Sequence, residues 1–236
     1  MKHIGLIVPP AAGEVPPEAS WMYPDIHFEA RGLGLRTMSE DGYAGVVDRT
    51  IDLARDLRRS GAKAISVMGT SLSFFRGRTF EQELIGRLED ATDLPVDTMA
   101  SAVARGLLEL GTRRIAVQTA YRAPVNDMLR TYLGEWGLQV MTLRSLNIEA
   151  IDVVADVTAA TMILEVHQLH EEAPVCDGIL ISCGGLRMAE TSPRLRRDLR
   201  KPVVSSAEAG LWGAVGLLSP DRAEAASKVF TAPPPH

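Results

Sequence analysis

Cys183 closes the apolar run GILIS and is followed by Gly184 and Gly185. A thiol there, at the end of a strand and beside glycine amides, suits a group that gives or takes a proton. Turn amides aimed at it would lower its pKa from the ordinary value of about 8.5. Cys176 stands between Val175 and Asp177, before that run begins, and reads as a structural thiol. Thr70 and Ser71 follow Gly69 in the turn MGTS, and Tyr121 closes QTAY. Taken singly, each hydroxyl is ordinary turn chemistry. Together with the Gly184 amide they make four or five neutral donors for one carboxylate. Such a set stabilises the enediolate that forms when a carboxylate becomes conjugated to a carbanion.

His167 and His170 lie three residues apart on an expected helix, but VHQLHEE lacks the glutamate placement of the zinc proteases and has no third ligand nearby. The pair is expected to be a solvated helix face, with no metal.

These residues need a scaffold, and short β-branched runs alternating with helical segments predict an α/β fold with a mainly parallel sheet. Strands are expected at His3 to Val8, Ala64 to Met68, Pro95 to Thr98, Arg114 to Thr119, Leu138 to Leu143, Gly178 to Ser182 and Pro202 to Ser205. Helices are expected at Gly42 to Ser60, Ala100 to Leu110, Val125 to Trp136, Thr158 to Glu171 and Glu208 to Leu217. Ser39 is a candidate cap for the first helix. Thr79 with Gln82 has the pattern of a capping box, and Ser192 before Pro193 marks another helix start. Pro9 to Arg36 reads as one long connection, either a surface loop or an active-site lid. The stretch from Ser219 onward reads as a frayed tail.

Cut near Gly111, the chain repeats itself approximately. HIGLIVPP answers RIAVQTAY, AISVMGTSLS answers GILISCGGLR, and LPVDTMASA answers KPVVSSAEA. The expectation is two pseudo-symmetric lobes, each a mainly parallel sheet flanked by helices, with the site in the cleft between them. Residues 1–110 form the first lobe, 111–207 the second, and a C-terminal helix within 208–236 completes the first. In this register Gly69 occupies the position that Cys183 holds in the second half.

The 236 residues, 46% of them apolar, are enough for a sizeable core, and the net charge of −5 is spread along the chain. That leaves no basic stripe for nucleic acid, and no apolar run reaches the roughly 18 to 20 residues needed to cross a membrane. Two cysteines without a secretion signal favour reduced thiols and a cytoplasmic address.

GLIVPPAAG, YPD, GLGL, GYAGVVD, SVMGTSLSFFRG, QTAY, DGILISCGGL and PVVSS together resemble the arylmalonate decarboxylases of the aspartate/glutamate racemase superfamily, over nearly the whole chain. Racemases of that superfamily carry one cysteine per lobe, whereas the decarboxylases have glycine at the first. The resemblance implies a monomer needing neither cofactor nor metal and taking a small dicarboxylate. One carboxylate would be held by Thr70, Ser71, Tyr121 and the amides near Cys183 and Gly184. The other would be pushed into an apolar pocket of Leu35, Met38, Tyr43, Ile151 and Val154, with Pro9 and Leu72 nearby. Cys183 would then protonate one face, giving a single enantiomer. An isomerase or racemase of the same superfamily, and a carboxylate-binding protein without catalysis, are the alternatives.

Overall fold

The computed structural model describes residues 2–218 and 226–231. Its strands form two four-stranded parallel sheets of identical order. The first holds β1 (His3–Val8), β2 (His27–Gly32), β3 (Ala64–Val67) and β4 (Val96–Thr98), arranged β2-β1-β3-β4. The second holds β5 (Arg114–Thr119), β6 (Gln139–Ser145), β7 (Gly178–Ser182) and β8 (Val203–Ser205), arranged β6-β5-β7-β8. The three sequence pairs thus become β1 and β5, β3 and β7, and β4 and β8.

Strands inside a helix-covered parallel sheet are buried on both faces and read as unbroken apolar runs. β3 and β7 are buried throughout, and only the first residue of β1 and of β5 is not. At Gly5 a Cβ would approach Leu57 to 2.9 Å, so glycine lets the helix Val47–Arg59 lie directly on β1.

The segment from Pro9 to Arg36 is not one connection. It holds the helix Glu18–Met22 and the strand β2, a half-exposed edge whose sequence HFEARG lacks a β-branched run. The predicted helix from Gly42 to Ser60 divides into Glu40–Ala44, capped by Ser39 Oγ accepting from the Gly42 N–H, and Val47–Arg59. Thr79 does not cap its helix, which runs Gly77–Thr92. The cap comes from the other half of the chain, where the Glu135 carboxylate accepts the Arg78 N–H at 2.8 Å. Ser192 likewise lies inside the helix Thr191–Leu199, one residue past its start.

The helix Ser206–Leu218 packs against β3, β4 and the helix Met99–Glu109, returning the end of the chain to the first sheet. Apolar beyond Ser206 and Glu208 in its first turn, it is buried along most of its length. The expected tail from Ser219 contains a further helix, Ala226–Phe230, whose Phe230 ring is buried 5.9 Å from that of Trp212. Residues 219–225 and 232–236 of that expectation lie outside the described residues. No helix among the described residues is long and apolar enough to cross a membrane.

Candidate active site

A cavity of about 620 Å³ opens at the carboxyl ends of the strands and is lined from both sheets. Ligands of parallel sheets sit at such ends because the turns there present backbone amides. The first sheet contributes Pro9 after β1, Gly69 to Leu72 after β3 and Met99 after β4. The second contributes Tyr121 after β5 and Cys183 to Gly185 after β7. Every predicted donor therefore faces one space. Thr70 Oγ1 lies 2.9 Å from the sulfur of Met99, while the Tyr121 hydroxyl sits beside Thr70 and 3.3 Å from Ser182 Oγ.

Cys183 is 7% exposed, with its sulfur 4.0 Å from that of Met38. The turn amides act on the thiol as expected, but they do not prevail. Burial pushes its pKa up to about 11, against the opposing pull of the Gly185 and Leu186 N–H groups and the Tyr121 hydroxyl. At neutral pH the group is therefore a thiol holding its proton, and the same three donors would stabilise a thiolate formed there. Burial also raises the Tyr121 phenol well above its ordinary value, so it stays a neutral donor.

A pH profile follows from these shifts. An acid that must be protonated to act keeps its activity below its folded pKa, so turnover should stay level through neutrality and fall with a midpoint near pH 11. Folding stability runs in the same sense. The thiol's contribution is whole below its unfolded pKa of about 9 and is lost as pH rises through about 11. A kcat/KM profile checks this, and a thiol limb at pH 8 to 9, the ordinary range for cysteine, would contradict it.

The apolar wall hangs on a strap between the halves. Met38 N–H donates to Glu149 O at 2.8 Å, Ile151 N–H donates to Arg36 O at 3.0 Å, and Thr37 pairs with Ala150 in an antiparallel bridge. This brings Leu35 and Met38 to the same cavity as Ile151 and Val154, while Pro9 and Leu72 flank Gly69. Tyr43 is the exception among the predicted pocket residues. It is fully buried behind the lining, its ring 5.3 Å from that of Phe75.

Sequence reasoning missed several lining residues. Met99 was within reach, because it follows the LPVDT run that the repeat already assigned to a carboxyl end. The exposed Asp152 and Arg187 carry no such pattern, whereas Pro10 to Pro17 and Arg36 belong to the segment for which a lid is one of two readings. Glu18 also lines the cavity and accepts the Met188 N–H at 3.1 Å, tying the N-terminal segment to the loop after Cys183. Its pKa is raised, chiefly by burial. Among the described residues no cluster of three metal-ligating side chains lies in this cavity.

The family model described as arylmalonate decarboxylase matches residues 4–230. The arylmalonate decarboxylase of Bordetella bronchiseptica is 46% identical over 214 residues, which is 91% of this chain and 89% of that protein. The crystal structure of a liganded arylmalonate decarboxylase double mutant, with one glycine changed to cysteine and one cysteine to serine, superposes with a TM-score of 0.92. It has 42% identity and covers 98% of this chain and 99% of its own. The maleate isomerase Iso of Pseudomonas putida S16 has a TM-score of 0.88 at 19% identity over 98% of each chain, a likeness of fold alone. With two matching sheets, one cleft between them and these relatives along nearly its full length, the chain belongs to the arylmalonate decarboxylase family.

Proposed function

We propose that this protein decarboxylates arylmalonates to arylacetic and 2-arylpropionic acids without a cofactor, Cys183 supplying the new C–H proton. The observation that carries the reading is the asymmetry of the cleft: one protonated thiol after β7, and at the matching end of β3 a glycine that cannot titrate.

The retained carboxylate docks on the hydroxyls of Thr70, Ser71 and Tyr121 and on the amides around Gly184. The departing carboxylate meets Leu35, Met38, Ile151 and Val154, which offer it no hydrogen bond. A carboxylate so placed is destabilised relative to neutral CO2, which favours breaking its C–C bond. The electron pair of that bond passes into the retained carboxylate, giving an enediolate whose charge the aryl ring shares. The hydroxyls that line this side of the cavity stabilise it by turning from their present partners, Met99 and Ser182 among them, onto its oxygens. The Cys183 S–H then transfers its proton to carbon from one side, and water later reprotonates the thiolate.

Incubation with phenylmalonate tests the assignment. Stoichiometric CO2 release with phenylacetate is the expected result. Proton exchange at the α-carbon without CO2 would indicate an isomerase, and thermal stabilisation without turnover a binding protein; either would overturn the proposal.

A further inference from the structure

At the opposite end of the first sheet, His3 and His27 are register partners at the amino ends of β1 and β2, and Glu29 stands two residues beyond His27 on the same face. We propose that these three side chains form a binding site for a zinc-class transition-metal ion, separate from the catalytic cleft. Strand pairing sets the two imidazoles side by side, ring centroids 4.5 Å apart and tilted by 57°. Each of the three residues offers a ligand atom within 4.8 Å of the other two, and this is the one such trio among the described residues. Tetrahedral zinc takes ligands at about 2.0–2.2 Å, which places them about 3.3 Å from one another, so small side-chain rotations complete the set.

A further detail favours a cation here over a simple ion pair. His3 Nε2 lies 3.0 Å from Glu29 Oε2, yet it is buried and makes no hydrogen bond. The same spacing is close to that of two ligands on one tetrahedral ion. Glu29 is itself held in place: Ser60 Oγ donates to Oε2 at 2.6 Å, and the Arg31 guanidinium pairs with Oε1 at 2.6 Å. Groups that orient a ligating carboxylate in this way sharpen a metal site. Imidazole and carboxylate together suit zinc, copper or nickel better than calcium or magnesium. His27 is exposed, so an ion has an entry path and water can fill the fourth position. The site lies a full strand length from the cavity, about 16 Å along β1. Its effect would be to staple the edge strand β2 to β1.

The test uses the full chain without a histidine tag, titrated with zinc chloride by calorimetry. One saturable equivalent is expected, weakened at least tenfold in His27→Gln and in Glu29→Gln. Cobalt chloride should give the visible absorption of a tetrahedral N/O complex in the parent protein and not in Glu29→Gln. His27 is exposed, so its variant reports on binding even if a change at His3 disturbs folding. Phenylmalonate turnover should be unchanged in Glu29→Gln and after dialysis against EDTA. Absence of saturable zinc binding overturns the proposal, as does undiminished binding in His27→Gln, which would assign the metal to the thiols or another surface.

Discussion

Cys183→Ala should lower arylmalonate turnover by about 100- to 10,000-fold, the range over which a positioned acid commonly contributes. The substitution takes away the one proton that the cleft holds ready. It leaves the Thr70, Ser71 and Tyr121 donors and the apolar wall in place, so the substrate should still bind. What decarboxylation remains must be completed by solvent, and the residual product should be close to racemic. The fold should tolerate the change, because a single sulfur is removed from the cavity lining and no salt bridge depends on it, although the Gly185 and Leu186 N–H groups lose it as a partner. Rates of CO2 release, chiral chromatography of the product and a thermal melt check the three parts together. Unaltered turnover in a folded Cys183→Ala protein would remove the thiol from the mechanism.

Moving the acid across the cleft should reverse the product's handedness. In Gly69→Cys combined with Cys183→Ser, the thiol hangs from the end of β3 and the enediolate receives its proton on the other face. The backbone permits this, since Gly69 has φ −120° and ψ 97°, ordinary extended values for any L-residue. Space is the constraint. A Cβ at Gly69 would lie 3.1 Å from the Leu72 Cβ and 3.2 Å from the Pro9 Cγ, so both must yield by a few tenths of an ångström. A lower rate is therefore expected along with the opposite enantiomer in excess. Retention of the original configuration would refute the pseudo-symmetric geometry.

The parts of this molecule that read clearly from sequence are those where one physical requirement dominates. β1, β5 and β7 are buried parallel strands, and their apolar runs gave their limits to the residue. β2 escaped because an edge strand can carry His27, Glu29 and Arg31 on a half-exposed face, which erases that signal. The repeat held the missing information. The run from Leu138 reads as a strand, and the repeat places its counterpart in the first half between Val8 and Ala64.

Helix starts show a similar division. Ser39 caps through its own hydroxyl, and the local pattern is sufficient. The helix from Gly77 is capped by Glu135, more than fifty residues away, so a search among its neighbours found Thr79 instead. In the site, turn residues following strands were legible, whereas the thiol's acidity was not. Whether glycine amides or burial governs Cys183 depends on how deeply the cleft encloses it, and only the folded chain decides that.

The strap joining Thr37 to Ala150 is made of main-chain groups, so exchanging Met38 or Ile151 for a larger or smaller apolar residue leaves its bonds untouched. The turn after β7 has no such latitude. A methyl group at Gly184 would meet Met99 at 2.9 Å and the Met68 carbonyl at 3.3 Å. Under the proposed function, substitutions should therefore be borne more easily in the wall expected to meet the aryl group than in the turn that offers charge-handling donors. Enzymes assembled on this plan can change what they consume without having to relearn the reaction.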